Sequence, residues 1–361
     1  MNRPEITALT GLRGVAALWV LAMHIRNMSG FVYPDARNVL SWIANAGYLG
    51  VDIFFALSGF VLAYSYPRVA RNEYLPFIWK RLARIYPVHL VTLLLTGLSA
   101  VALGSSYATP DLLTVDGLIA SLTLTHGWAH PIRGTWNVPS WSISAEFAAY
   151  LAFPLLALAS NRIRSPVVCF IAIVALYYAL HLATSQSGHP GTMAHGMPRI
   201  AAGFTAGVLL HRLYVLKGAV RSPLMTVVCV VGLVGASAYD RIYNAEIAID
   251  HLPVLSCALI YSLLSPGKLT SALSTPTMVY LGRISFALYM VHGVFIRIAR
   301  SLVQTKLDDP IAGWLLLLGV VAASLAAASV LYHCVEEPAR RRMLEMVKGT
   351  GQQRHAEAKA C

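Results

Sequence analysis

The order of apolar and polar positions breaks this chain into long hydrophobic runs joined by short polar segments. Crossing a hydrocarbon core of ~30 Å takes a helix of about 20 residues. Runs of that kind fall near 8–25, 46–66, 86–104, 138–160, 166–183, 197–211, 222–239, 247–264, 279–300 and 312–334. The ninth and tenth are clear, whereas the first, sixth and eighth are short or interrupted by small and polar residues. The pattern predicts an all-α polytopic membrane helix bundle of about ten transmembrane helices. Between the third and fourth runs, "DLLTVDGLIASLTLTHGW" has a helical periodicity that predicts a segment lying on the outer surface. No linker divides the apolar part and no solenoid repeat is visible. Residues 1–340 are therefore expected to form one integral membrane domain, and 341–361 a polar, mobile cytoplasmic tail.

Composition supports this reading. The chain is 57% hydrophobic and 12% charged, against roughly a quarter charged in soluble domains. Its net charge of +12 could point to nucleic acid, but such binders are rich in charges of both signs and poor in long apolar runs. The basic residues instead report topology. With a cytoplasmic N-terminus, 18 of the 28 lysines and arginines fall in inside segments and 8 outside, while Arg13 and Arg283 lie within helices. Both termini are then cytoplasmic. The five cysteines are scattered singly without ligand spacing, so neither a disulfide framework nor a metal site is expected. The N-terminal run could pass for a signal peptide. No small-x-small site follows Met23 and Arg13 interrupts the run, which favours a retained first helix.

Ionisable groups are costly at mid-bilayer and mark sites or pathways, or else structural pairs between helices. Arg13 and His24 are eleven residues apart, which puts them within about 20° on one helix face and ~16 Å apart along it. Gly11 and Gly14 leave room beside Arg13 for a close neighbour or a ligand. A snorkelling arginine and a surface histidine are the simpler alternative. Asp52, about two turns into the second run, falls in the layer of His24 and could fix its tautomer, or could serve a backbone donor instead. In "YLPFIWKRLARIYP", Arg81 and Arg84 share a face of an amphipathic stretch; their guanidiniums suit phosphate oxygens or lipid headgroups. "TWNVPSWSISAEF" puts Ser142 and Glu146 at i, i+4, and "YLGRISFALYMVHGVF" carries Arg283 and His292 on opposite sides. The pattern predicts two layers, with Arg13, Arg81, Arg84 and Arg283 in the inner half and His24, Asp52, Glu146 and His292 farther out.

The blocks "GLRGVAALWVLAMH", "GVDIFFALSGF", "RLARIYP", "SWSISAEF" and "YLGRISFALYMVH", in this order, make the chain resemble the acyltransferase family 3 membrane proteins. The resemblance covers almost the whole chain. Members O-acylate surface polysaccharides, lipopolysaccharide, Nod factors and some macrolides. It implies a bacterial inner-membrane enzyme with ten helices, acyl-coenzyme A (acetyl-coenzyme A by family prevalence) as co-substrate rather than tightly bound cofactor, and a carbohydrate or glycolipid acceptor. Arg13, Arg81 and Arg84, with Arg283 beside them, would engage the coenzyme, and its pantetheine arm would run to a catalytic His24. His24, oriented by Asp52, would be a general base or transient acyl carrier, and Glu146 and His292 would orient the acceptor or shuttle the proton. Some members carry a C-terminal hydrolase-like domain, and this chain ends soon after "VEEPARRR"; it is expected to stand alone or to use a separate acceptor-side partner or a homo-oligomer. A secondary transporter, which usually shows repeated broken helices, and a non-enzymatic component of a polysaccharide export complex are the other classes open to such a sequence.

Overall fold

In a computed structural model of the protein, described over residues 4–29, 44, 46–103, 113–128, 136–184, 195–243, 252–302 and 310–346, helices account for every regular element. They are α1 (Thr7–Ser29), α2 (Leu49–Ser65), α3 (Tyr74–Leu103), α4 (Val115–Leu122), α5 (Trp141–Arg162) and α6 (Pro166–Thr184). They continue with α7 (Gly196–Lys217), α8 (Pro223–Tyr243), α9 (Leu252–Ser262), α10 (Lys268–Leu273), α11 (Pro276–Leu302) and α12 (Pro310–Leu331). Among the described residues eight helices are long and apolar enough to cross a membrane, and Pro223–Gly235 and Pro253–Ser262 are apolar but shorter. Together they occupy the ten expected positions of a multi-pass membrane bundle.

Local chemistry sets the ends of these helices. Four of them, α6, α8, α11 and α12, begin on proline, whose missing N–H costs nothing in a first turn. α7 stops at Gly218, where φ is +75°, a value that glycine adopts without a Cβ clash. Thr114 caps α4 by accepting from Gly117 N–H at 3.0 Å.

Two boundaries depart from expectation. The stretch expected to be a separate amphipathic element, 74–87, is instead the first half of one 30-residue helix, with Pro87 inside it. Proline removes one main-chain hydrogen bond, and the packing of Phe77, Ile78, Ala83, Ile85 and Val88 into the interior holds the helix together across it. The last span continues from α12 through a π-helical turn, Tyr332–Glu336, and its helix runs to Met346, past the expected boundary at 340. The remainder of the expected tail, 347–361, lies outside the described residues. Of the expected surface segment within 105–137, the structure describes 113–128 and 136–137, and the helix there is α4.

Glycines bring the central helices together. α1 lies against α11, where a Cβ on Gly14 would come within 2.9 Å of Gly282 N, and one on Gly282 would overlap Thr10 O. The room beside Gly11 is taken by Leu273 O, so the small residues near Arg13 admit neighbouring backbone. α2 meets α7 in the same way, with Gly59 against Phe204 O and Gly207 against Ala56 O. Close approach at small residues is the usual means of helix association in lipid. α6, α8 and α12 lie outside this centre and expose Val167, Phe170, Val228, Leu315 and Leu318, faces suited to a bilayer and not to water.

Candidate functional site

Two cavities open among the central helices. One, of about 120 Å³, is lined by Arg13, Arg81, Arg84, Ser58, Ser142, Glu146, Tyr150 and Tyr289, among others. The other, of about 240 Å³, is lined by His24, Thr96, Asn137, Pro139, Arg297 and Arg300 together with Val138, Gly293 and Ile296. Because Arg13 and His24 are both on α1, roughly 16 Å apart along its axis, the cavities are called the arginine cavity and the histidine cavity.

In the arginine cavity, α1 and α3 supply the three guanidiniums. Arg81 lies over the rings of Tyr66 (5.2 Å) and Phe77 (5.7 Å) and donates to Tyr66 Oη at 3.2 Å; its Nε is buried with no hydrogen-bond partner. Arg84 forms an ion pair with Glu336, and its guanidinium lies 5.9 Å from the Phe286 ring centre. Aromatic faces hold a guanidinium flat and leave its edge available for oxyanions. Across the cavity, Glu146 Oε1 accepts from Ser58 Oγ at 2.5 Å and from Tyr150 Oη at 2.6 Å.

Two imidazoles meet at the histidine cavity. Their ring centres are 4.9 Å apart and tilted by 60°. His24 Nδ1 lies 2.9 Å from Val20 O, and His292 Nδ1 lies 2.7 Å from Tyr289 O. A carbonyl can only accept, so each Nδ1 carries a proton that it donates, and each ring in its neutral form presents a lone pair at Nε2. His292 Nε2 is buried and has no hydrogen-bond partner. The His292 ring also lies 5.9 Å from that of Tyr289, a residue of the arginine cavity. The series Tyr289–His292–His24 thus runs from one cavity to the other.

The segment before α5 is stitched to α11 beside this series. Asn137 Nδ2 donates to Met290 O at 3.0 Å. Tyr289 Oη donates to Pro139 O at 3.0 Å and accepts from Ser142 Oγ at 2.8 Å. The blocks "TWNVPSWSISAEF" and "YLGRISFALYMVH", far apart in sequence, build one wall.

The structure brings Arg13, Arg81, Arg84 and Glu146 together, and separately His24 and His292. It corrects three expectations. Asp52 does not reach His24: it is buried and holds Arg199 through two hydrogen bonds, 3.1 Å from Nε to Oδ1 and 2.9 Å from Nη2 to Oδ2. A carboxylate in the first turn of α2 faces α7, which the close approach at Gly59 and Gly207 brings near. Arg283 does not line the arginine cavity; half-exposed, it pairs with Glu5 at 3.3 Å. Glu146 belongs with the arginines and not in the histidine layer, so cations and titratable groups are not sorted by depth as expected. Residues that spacing did not single out are Ser58, Tyr150, Tyr289, Asn137, Arg199, Arg297, Arg300 and Glu336. Hydroxyls and amides within apolar runs carry no periodic signal, and Glu336 lies hidden in the charged string "VEEPARRR". Only Arg297 and Arg300 had a signal, two cations at i, i+3 inside a spanning helix.

Comparison with known proteins adds the following. The family described as "Acyltransferase domain" matches residues 6–333. Acyltransferase MdmB of Streptomyces mycarofaciens is 30% identical over 360 residues, 93% of this chain and 92% of that protein. A Staphylococcus aureus (strain COL) protein with an O-acetyltransferase name is 21% identical over 371 residues, 93% of this chain and 57% of that protein; the chain spans little more than half of that relative's length. Protein 2 in picA locus of Rhizobium radiobacter is 40% identical over 90 residues, 24% of this chain. No solved structure matches the chain.

Proposed function

This chain belongs to the acyltransferase-domain family, a membrane O-acyltransferase by its fold and relatives, and from that premise we propose that it moves an acetyl group from acetyl-coenzyme A to a hydroxyl of a carbohydrate or glycolipid at a bacterial inner membrane. The observation that carries this reading is the pair of imidazoles, each with Nδ1 held by a main-chain carbonyl, with His24 lining one cavity and His292 beside Tyr289 of the other.

In this reading Arg13, Arg81 and Arg84 receive the phosphates of the coenzyme, and the pantetheine arm passes Tyr289 to bring the thioester carbonyl to His24. The acceptor enters the histidine cavity. His24 Nε2 removes the proton of the acceptor hydroxyl as its oxygen attacks the thioester carbon. The carbon–sulfur bond then breaks, and the sulfur leaves with the proton that His24 returns. An O-acetyl ester and the free thiol of the coenzyme result, with atoms and protons in balance. His292 packs against His24 and holds its ring in place. Glu146, fixed by Ser58 and Tyr150, balances the three guanidiniums around the donor.

The test is His24→Ala and His24→Gln in the purified protein, with acetyl-coenzyme A consumption and acetylated product followed together. Removing a general base lowers the rate by roughly 10²–10⁴, and the melting temperature in detergent should stay within a few degrees of the parent. Normal product from His24→Ala would overturn the assigned role. Absence of any stabilisation by acetyl-coenzyme A would remove the donor.

A further inference from the structure

The histidine cavity holds two cations that the chemistry above does not use. Arg297 and Arg300 line it together with His24. Gly293, Arg297 and Arg300 are spaced i, i+4, i+7 and so fall on one stripe of α11. Among the described residues no carboxylate lines this cavity, and neither arginine has an ion-pair partner. Arg297 Nη1 is buried without any hydrogen-bond partner. A guanidinium nitrogen withdrawn from water and left unpaired is costly; Arg297 is half-buried and Arg300, one turn on, is exposed, so a buried and a rim cation on one stripe together attract an anion. The arginine cavity answers its own cations with Glu146 and Glu336. Among the described residues that line it, the histidine cavity has no such answer, and the counter-charge is assigned to the ligand.

We infer that the acceptor acylated at His24 is an acidic molecule, whose carboxylate or phosphate is held by Arg297 and Arg300. Along α11 these residues lie roughly 7 and 12 Å from His292, a separation that neighbouring residues of an oligosaccharide span. The anion then fixes which hydroxyl reaches Nε2 of His24, so the arginine pair selects both the class of acceptor and the position acylated. This inference rests on the histidine cavity being the acceptor's, and it deepens the reading above by naming the acceptor's charge.

The experiment uses the full chain in detergent without donor, so that its outcome is independent of acetyl-coenzyme A. D-Glucuronate, glucose 6-phosphate and D-glucose are titrated at constant ionic strength and the melting temperature is followed. The acidic sugars should stabilise the protein at concentrations about tenfold or more below those needed for glucose, in keeping with charge-assisted hydrogen bonds. R297Q/R300Q should erase that difference, and R297K/R300K should keep part of it. Both variants must melt cooperatively, which separates lost recognition from lost folding. Equal action of the three sugars on the parent, or an undiminished difference in R297Q/R300Q, would overturn the inference. So would a third result: in nanodiscs, phosphatidylglycerol but not phosphatidylcholine abolishes the preference and co-purifies less with R297Q/R300Q, which would make the pair a lipid headgroup site.

Discussion

Asp52 shows how one carboxylate acquires a different task from the one its depth implies. Its oxygens face Arg199 Nε and Nη2 at 3.1 and 2.9 Å, and Arg199 also donates to Tyr48 O at 3.1 Å. The guanidinium lies 5.5 Å from the Trp141 ring centre. Both side chains are nearly sealed from solvent, 2% and 4% exposed. Removing one partner of such a pair strands the other charge and costs about 3–5 kcal/mol. Asp52→Ala should therefore lower the melting temperature and the amount of protein in the membrane, and D52A/R199A should lose less than the two single changes together. A D52A variant that melts like the parent but is inactive would return Asp52 to the chemistry. His24 obeys the opposite logic, since a ring tied by one hydrogen bond to its own helix can be replaced with little effect on folding.

At the scale of elements, the joint between α3, α4 and the start of α5 is built from a histidine pair outside the Tyr289–His292–His24 series. The rings of His89 and His126 are stacked, 5.9 Å apart and 3° from parallel. His89 Nε2 lies 2.9 Å from Ser121 O, and His126 Nε2 lies 2.9 Å from Ser140 Oγ. Burial, and then the facing His89 ring, push His126 down to about 4 from its ordinary 6.5. The folded protein therefore favours neutral His126. The stability this contributes is complete above about pH 6.5, where the unfolded chain is also neutral. It is lost as pH falls from there toward 4, an effect on the order of 3 kcal/mol in full. Between pH 7 and pH 4.5 the melting temperature of the parent should drop more than that of His126→Gln, which cannot titrate; parallel curves would refute the assignment. Such joints explain what the sequence made legible. Apolar run length located the spanning helices, and the eleven-residue spacing put Arg13 and His24 on one face. Spacing along a single helix says nothing of which neighbour that face meets. Spacing alone ties Asp52 to His24 and Glu146 to the outer layer because it does not show the partners on other helices, Arg199 on α7, brought near by glycine contacts, and Ser58 on α2. The continuity of α3 through Pro87 was hidden for a related reason, since tertiary packing overrode a local breaker.

For the whole molecule, the arrangement is a bundle with a cationic cavity at each end of the Arg13–His24 face. Under the positive-inside rule the excess of lysine and arginine in the segments on the Arg13 side would put that end in the cytoplasm, the orientation that the proposed function uses. A donor made in the cytoplasm and an acceptor presented outside would then meet at His24 and His292 without either crossing the membrane. Single cysteines test this directly, in a protein whose five native cysteines are replaced. S58C reports on the arginine cavity and V138C on the histidine cavity, positions that line them and are half-buried. A membrane-impermeant maleimide should label S58C in inside-out vesicles and V138C in right-side-out vesicles. Acetyl-coenzyme A should slow labelling of S58C more than that of V138C, because the phosphates compete only at the arginine end. Labelling of both positions from one face would place both cavities on a single side of the membrane, and the acceptor would then have to be acetylated before it is exported.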